Sequence, residues 1–319
     1  MGRILPAFFC PSVGISPVRI RLVPAIRGIR LRQTSCVLYI AVDSLIPARG
    51  KGVAGFDEFT AALDHAGIPA VWLTTRSRLQ FDEPRRKYGH AHPFIAEDGC
   101  GVYLPVDYFH LRPNAPGPRS PKKASTVRLG RFTCIPFAQP LPAAAKELEA
   151  LSAESAVPVV TLHSLSLREL AQNTGLPPRE AERARQRDFD ALFFFAGASP
   201  EKITRFLAEG RKRKLQFRQQ GALWSAAIEA STPRCIVELS KLYDRALRYH
   251  AHTVALATED LTSNLFPFCD RRVLLTDYGG ETASENPPDG RVQHRGAREV
   301  LLEAPDVWEQ VLEIVRAKF

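Results

Sequence analysis

Apolar and polar positions along residues 37–74 follow the order of strand, helix and strand. Residues 37–42, VLYIAV, are apolar at every position, which is typical of a parallel strand buried on both faces. Residues 55–66 place apolar side chains at helical spacing, and Gly67 follows where a helix C-cap glycine belongs. Residues 68–74, IPAVWLT, are a second apolar run. This order predicts a βαβ unit with a right-handed parallel crossover.

A basic, Pro-rich segment interrupts this pattern. Before it, residues 92–105 predict two short strands about an Asp98-Gly99 turn. Residues 111–124, LRPNAPGPRSPKKA, then have the composition of a surface loop. Beyond the loop, the pattern predicts a helix at 140–153, two helices within 165–188, a strand at 189–197 and a helix at 199–214. These elements form a second block of α and β structure.

The alternation of strands and helices resumes near residue 222. Apolar runs predict strands at 222–230, 252–258 and 271–276, and helical spacing predicts helices at 233–249 and 303–317. We therefore predict an α/β protein whose core contains a parallel sheet and carries an inserted α/β cap domain. The predicted limits are 37–105 and 219–319 for the core, 106–218 for the cap domain and 1–36 for a separate head.

The net charge of +9 is concentrated in the head. Residues 1–36 hold six arginines and no acidic residue, so the rest of the chain is nearly balanced and does not indicate a nucleic-acid partner. The head resembles an organelle transit peptide, and we expect it to be poorly ordered. No apolar run is long enough to span a bilayer. We expect a cytoplasmic protein without a membrane partner, with organelle targeting as the alternative.

The candidate functional residues are polar or charged and lie at the ends of the predicted parallel strands. In open α/β sheets a ligand lies beyond the carboxyl ends of the strands. Asp43 follows the first strand, Thr74 and Arg76 follow the second, and Asp260 follows the strand at 252–258. Ala41 stands two residues before Asp43, where a pair of catalytic acids would need a second carboxylate.

Six segments resemble, in order, the motifs of the haloacid dehalogenase (HAD) superfamily, and in particular its mannosyl-3-phosphoglycerate phosphatases. They read VLYIAVDSLI, GIPAVWLTTRSR, PFIAEDGCGVYLP, TGLPPREAERARQRDFD, TVALATEDLTSNLFPF and EAPDVWEQVL. The resemblance implies a Rossmann-like core with a cap domain. It also implies hydrolysis of a phosphomonoester with Mg²⁺, in which the first acid of a DxD pair forms an aspartyl-phosphate and the second acts as acid and base.

Carried onto this chain, the resemblance implies a damaged site. Ala41 takes the nucleophile position and Asp43 the acid/base position. Thr74 and Arg76 take positions that bind phosphate, with arginine in place of the usual lysine of that motif. The phosphate-binding lysine of the third motif has Arg234 as its nearest basic counterpart. Arg187 matches an arginine of the family's cap, for which the resemblance suggests a role in substrate binding.

The metal ligands implied by the resemblance are also altered. Asp260 matches the first acid of the family's metal-binding loop, Asn264 stands for the second, and Glu259 occupies the place of a glycine, where it is at most a weak ligand. An alanine cannot attack phosphorus, and a neutral amide is a poor ligand for Mg²⁺. We therefore predict a pseudoenzyme with weak or absent Mg²⁺ binding.

Three functions stay open at this stage. The leading one is binding of a phosphorylated sugar or glycerate without efficient hydrolysis. The second is an active Mg²⁺-dependent sugar-phosphate phosphatase, in which the first motif is shifted by two residues and Asp43 is the nucleophile. The third is a protein-interaction module with a vestigial cleft. The sequence does not specify the oligomeric state.

Overall fold

The protein contains two β-sheets with flanking helices. The computed structural model describes residues 36–48, 51–109, 126–220, 222–258, 265–276 and 297–317. The strands within these ranges are β1 (Cys36–Ala41), β2 (Ala70–Leu73), β3 (Phe94–Ala96), β4 (Gly101–Pro105), β5 (Val127–Leu129), β6 (Phe132–Pro136), β7 (Val159–Thr161), β8 (Ala191–Phe195), β9 (Leu215–Gln220), β10 (Leu223–Ile228), β11 (His252–Thr258), β12 (Arg271–Thr276) and β13 (Ala297–Leu301).

Apart from the helix at 78–87, which the pattern does not predict, the α-helices lie close to where apolar spacing and capping residues predict them. They are α1 (Phe56–Ala66), α2 (Arg78–Lys87), α3 (Leu141–Ser155), α4 (Leu167–Thr174), α5 (Pro178–Arg185), α6 (Pro200–Lys212), α7 (Thr232–Leu247) and α8 (Val307–Arg316). The predicted C-cap of α1 is confirmed, because Gly67 has a φ of 70°. No helix in the described ranges is both long and apolar enough to cross a membrane.

The first sheet has nine strands in the order β13-β12-β11-β1-β2-β3-β4-β6-β5. The strands from β13 to β3 are parallel, whereas β4, β6 and β5 are antiparallel. All six residues of β1 are buried, as the unbroken apolar run predicts for a central parallel strand. The parallel core is therefore confirmed, with β1 and β2 side by side.

The second sheet has four antiparallel strands in the order β7-β8-β10-β9. Its apolar face packs on α3 and α6, with Phe193, Phe206 and Leu148 fully buried between them. This second α/β unit confirms the predicted fold class.

The predicted limits of the insertion differ from the strand pairing in two places. The strands β5 and β6 lie within the predicted cap range 106–218 but pair with β4 in the first sheet. The strand β10 lies within the predicted core range 219–319 but pairs with β8 and β9 in the second sheet. An apolar run predicts a strand without specifying its neighbour, so the pairing of β10 with the second sheet differs from its place in the predicted core range. Residues 1–35 of the predicted head lie outside the described residues.

The helix α8 is held behind the parallel strands by an aromatic contact. The ring of Trp308 stacks on Phe59 with 4.7 Å between centroids, and its Nε1 atom donates a hydrogen bond to the Ala54 carbonyl oxygen at 2.6 Å. Gly55, with a φ of 75°, precedes α1 at this point, and a Cβ atom there would lie 2.8 Å from the Trp308 ring. The positive φ and the close approach of Trp308 therefore require glycine at position 55, immediately before α1.

Candidate functional site

A cleft lies at the carboxyl ends of β1 and β2, beside the turn that follows β3. Its volume is about 370 Å³ when the solvent space at its mouth is included. The polar side chains that line it are Asp43, Thr74, Thr75, Asp98, Arg218 and Thr232. They come from both sheets and from the first residue of α7, so elements far apart in sequence meet where the topology of a parallel sheet places a ligand.

Ala41 is the last residue of β1 and faces this cleft. It pairs in register with Leu73 of β2, and only 4% of its surface is exposed. The neighbouring Val42 N–H still donates to the Leu73 carbonyl oxygen at 3.0 Å, so the chain leaves the sheet only at Asp43. The position at the strand end therefore carries a methyl group without a polar atom.

Asp43 accepts hydrogen bonds at both carboxylate oxygens. Its Oδ1 atom accepts from the Thr74 hydroxyl at 2.5 Å and from Arg76 Nε at 3.2 Å. Its Oδ2 atom accepts from the Thr75 N–H at 2.7 Å and from the Thr75 hydroxyl at 2.6 Å. Four donors from three consecutive residues therefore fix the orientation of this carboxylate.

Further hydrogen bonds fix the conformation of the loop after β2 that presents these donors. The Asp98 N–H donates to the Thr74 carbonyl oxygen at 3.3 Å, and the Arg76 N–H donates to the Thr74 hydroxyl at 3.1 Å. Ser77 then starts α2 with a capping box formed with Gln80. The Arg76 guanidinium lies 5.1 Å from the Phe81 ring centroid, and its buried Nη2 atom has no hydrogen-bond partner in the part of the chain that the structure describes.

A second acid of the cleft, Asp98, pairs with an arginine of the second sheet. Arg218 Nη1 donates to Asp98 Oδ1, and the two side chains are 22% and 27% exposed. Burial raises the pKa of Asp98 to about 6, although the Arg218 charge opposes this shift. Asp98 has a φ of 53°, a left-handed conformation that Asp and Asn tolerate better than most residues. This ion pair joins the two sheets across the cleft.

The helix α7 begins at the cleft. Thr232 is its first residue, and the Ser231 side chain caps it by accepting from the Arg234 N–H at 3.3 Å. Gly99 lies directly beneath, because a Cβ atom on it would be 2.2 Å from the Thr232 nitrogen. The start of a 16-residue helix is thus packed against the turn after β3, which places its partial positive charge beside the cleft.

Two of the predicted phosphate-binding arginines lie elsewhere. Arg234 is exposed, with its guanidinium 5.6 Å from the Phe137 ring centroid, and it is not among the described residues that line the cleft. Arg187 is 3% exposed and donates to both oxygens of Asp190 and to the Thr75 carbonyl oxygen. The geometry brings together Asp43, Thr74 and Arg76, and a role of the other two arginines in ligand binding stays a prediction.

Behind the cleft, Glu97 forms a second polar cluster with the segment at 188–190. Its carboxylate accepts the backbone N–H groups of all three residues, at 2.9, 2.8 and 3.1 Å. Burial raises the pKa of Glu97 to about 8, and the nearby Asp190 charge adds to the shift. We call Glu97, Arg187, Asp190 and residues 188–189 the clamp, because they tie the start of β8 to the ends of β2 and β3.

The predicted metal ligands Glu259, Asp260 and Asn264 lie outside the described residues. The strand β11 ends before them at Thr258, whose hydroxyl lies 2.8 Å from the Ser44 hydroxyl. Within the described ranges, no group of three or more His, Cys, Asp or Glu side chains is arranged to hold a metal ion. Asp43, the predicted site acid on β1, accepts hydrogen bonds from four donors.

The motifs do not select Asp98. Arg218 follows a basic run at residues 211–214, which could bind a phosphate or a carboxylate but is more typical of a solvated helix end. Asp98 lies in a predicted turn, and Arg218 lies in β9, a strand that the pattern does not predict. The available signal was the alternation in β9, where Leu215 and Phe217 pack in the second core and Arg218 points away from it. Nothing in the sequence joins two residues that are 120 positions apart.

Comparisons with known proteins agree with this architecture. No family model matches the chain. A glucosyl-3-phosphoglycerate/mannosyl-3-phosphoglycerate phosphatase from Methanococcoides burtonii is 21% identical over 194 residues, which are 59% of this chain. The match spans slightly less than two thirds, 66%, of that relative's length.

Two solved structures from Bacteroides thetaiotaomicron share the fold across most of their length. One is a phosphatase of the haloalkanoate (HAD) enzyme superfamily, with a TM-score of 0.54 at 13% identity, covering 95% of this chain and 99% of its own. The other is a haloacid dehalogenase-like hydrolase, with a TM-score of 0.55 at 9% identity, covering 88% of this chain and all of its own. At these identities the likeness is one of fold.

Proposed function

We propose that this chain, which has the fold of the haloacid dehalogenase superfamily and resembles its mannosyl-3-phosphoglycerate phosphatases, binds a phosphorylated sugar or glycerate in its cleft without hydrolysing it efficiently. The observation that carries the proposal is Ala41 at the end of β1, facing the cleft. The family's chemistry requires a carboxylate oxygen there to attack phosphorus, and a methyl group has no lone pair.

The surroundings of Asp43 support the same conclusion. Asp43 lies two residues beyond the end of β1, as the second acid of a DxD pair would. A nucleophile must offer a free oxygen to phosphorus, whereas both oxygens of Asp43 accept hydrogen bonds from the loop after β2. Catalysis by Asp43 would require the loss of at least one of these bonds, and charge-assisted bonds are the strong ones. The alternative in which Asp43 is the nucleophile is therefore the weaker hypothesis.

Binding of an anion is favoured by the groups that remain in the cleft. Thr74 and Thr75 direct their hydroxyls to Asp43, which leaves the Arg218 guanidinium and the start of α7 at Thr232 as sources of positive potential. These groups suit a phosphate or carboxylate better than a neutral ligand.

Weak or absent Mg²⁺ binding is part of the proposal. When bound in this family, the ion supplies charge neutralisation at the phosphoryl group. In this chain, Arg76 lies beside Asp43 and Arg218 beside Asp98, so each described acid of the cleft already has a cationic neighbour. A divalent ion would compete with both arginines for the same carboxylates.

The test is an assay of phosphate release by the purified protein with and without Mg²⁺. The substrates are mannosyl-3-phosphoglycerate and p-nitrophenyl phosphate, and we expect no release above the rate of the Asp43→Asn variant. Rapid Mg²⁺-dependent release by the wild type that is lost in Asp43→Asn would refute the proposal and favour Asp43 as the nucleophile.

A gain-of-function variant sharpens the same test. Ala41→Asp restores a carboxylate that can attack phosphorus and ligate Mg²⁺, and we expect this variant to release phosphate faster than the wild type when Mg²⁺ is supplied in large excess. The matched control is Ala41→Asn, which has a similar size but no anionic oxygen. Equal rates for the two variants would show that a carboxylate at this position does not restore the chemistry.

A further inference from the structure

Arg218 brings a positive charge from the second sheet into the cleft. In β9, Leu215 and Phe217 pack into the apolar core beneath the sheet, and Arg218 lies on the opposite face. Among the described residues that line the cleft, Arg218 is the one basic side chain. A ligand anion in the cleft would therefore find its cationic partner here.

In the structure the Arg218 guanidinium is paired with the Asp98 carboxylate. The contact is a single Nη1–Oδ1 hydrogen bond rather than a bidentate pair, and both side chains keep about a quarter of their surface exposed. A partly exposed pair with one hydrogen bond is among the weaker types of ion pair. The raised pKa of Asp98 shows in addition that burial disfavours its charged form.

We propose that Arg218 is the residue that recognises the anionic group of the ligand, and that Asp98 holds it in the free protein until the ligand displaces the carboxylate. This inference rests on the proposed function, since it requires that the cleft binds an anion. The neighbouring hydroxyls of Thr74 and Thr75 are committed to Asp43, so a bound anion gains most from Arg218 and from the start of α7 at Thr232.

The two partners of the pair should then have opposite effects on binding. Asp98→Asn removes the competing charge, and asparagine tolerates the left-handed backbone at this position, so the variant should fold. Arg218→Gln removes the recognition group itself. If the pair were merely structural, both variants would lose the same contact and neither would change ligand affinity.

The experiment is isothermal titration calorimetry, which measures the affinity of the wild type and of the two variants for inorganic phosphate at constant ionic strength. We expect Asp98→Asn to bind phosphate about tenfold more tightly and Arg218→Gln about tenfold more weakly than the wild type. The control is Arg213→Gln, which removes an equal charge from a partly exposed pair with Glu154, outside the residues that line the cleft, and should leave the affinity unchanged.

The outcomes separate this inference from the proposed function. If the wild type binds phosphate and neither variant differs from it, anion binding stands and the role of Arg218 is refuted. If both variants bind more weakly, Asp98 is not a competitor and the inference is refuted as well. If no protein binds phosphate, including Asp98→Asn, both the inference and the proposed ligand binding fail. Arg218→Lys, which retains the charge, should recover part of the affinity lost in Arg218→Gln.

Discussion

Two arginine–aspartate ion pairs lie near the same edge of the first sheet, and they differ chiefly in solvent exposure. In the clamp, Arg187 and Asp190 are 3% and 2% exposed, and the arginine uses two nitrogens on the carboxylate. In the cleft, Arg218 and Asp98 are 22% and 27% exposed and share one hydrogen bond. A buried pair cannot lose one partner without leaving an uncompensated charge, whereas a half-buried one can exchange its partner for a ligand.

An arginine–aspartate pair therefore has a different role in each region: it fixes the structure in the clamp, and it can exchange its partner in the cleft. Thr75 shows this most directly, because its hydroxyl and N–H bind Asp43 in the cleft and its carbonyl oxygen binds Arg187 in the clamp. The clamp fixes the strand ends, and the strand ends position the cleft. Ligand binding in the cleft should accordingly depend on the clamp, although no clamp residue needs to contact the ligand.

The largest effect is expected for Arg187→Gln in the clamp. The substitution leaves Asp190 buried without its cation, which typically costs about 3 to 5 kcal/mol of unfolding free energy. Urea unfolding followed by tryptophan fluorescence measures this loss. The control is Arg213→Gln, which removes a partly exposed arginine paired with the exposed Glu154, and we expect it to change stability by less than about 1 kcal/mol. A loss for Arg187→Gln that is no larger than the control would show that the two regions do not differ as described.

Arg187 also shows how far the sequence alone could predict this site. Matching motifs correctly placed Ala41, Asp43 and Thr74 at adjoining strand ends, because a parallel sheet brings such ends together whatever the side chains are. Motif matching does not report which group an arginine contacts, so it could not show that the Arg187 guanidinium binds Asp190. Burial is a property of the packed elements, and only the structure shows that the Arg187 side chain is 3% exposed.

The same limit applies to the strands. The burial of β1 on both faces was predictable from VLYIAV, since only a central parallel strand needs apolar residues at every position. The sheet to which β10 belongs was not predictable, because an apolar strand can pair with the free edge of either sheet. Asp98 and Arg218 meet only because β9 pairs with β10 at the border of the second sheet, and no local pattern encodes that contact.

A smaller loss of unfolding free energy is expected for Glu97→Gln, which also lies in the clamp. The carboxylate accepts three backbone N–H groups, and a glutamine amide has only one acceptor atom, so at least one N–H loses its partner. We expect a loss of about 2 kcal/mol, because an unsatisfied buried donor costs about 1 to 3 kcal/mol. Urea unfolding measures the loss, and hydrogen exchange at residues 188–190 should become faster.

The control for this variant is Glu154→Gln, which removes an exposed carboxylate of the second unit. It should change stability by less than about 1 kcal/mol. Unchanged hydrogen exchange at residues 188–190 in Glu97→Gln would show that Glu97 does not hold this segment, and would weaken the distinction between a rigid clamp and an exchangeable cleft pair.

The smallest effect concerns the pH dependence of the cleft pair. Burial raises the pKa of Asp98 from its ordinary value of 3.8 to about 6, against the opposing charge of Arg218. The folded state therefore binds this proton more tightly than the unfolded state. The contribution of Asp98 to stability is fully present below about pH 4 and is lost as the pH rises through about 6.

Asp98→Asn isolates this contribution, because asparagine does not titrate. The stability of the wild type relative to the variant should fall by about 1 to 2 kcal/mol between pH 4.5 and pH 7.5, less than the full value of a two-unit shift because about a quarter of the side chain is exposed. Unfolding of both proteins in urea across this range measures the difference. A difference that grows with pH would mean that the ion pair with Arg218 outweighs the cost of burial, and that the cleft pair resembles the clamp pair in strength.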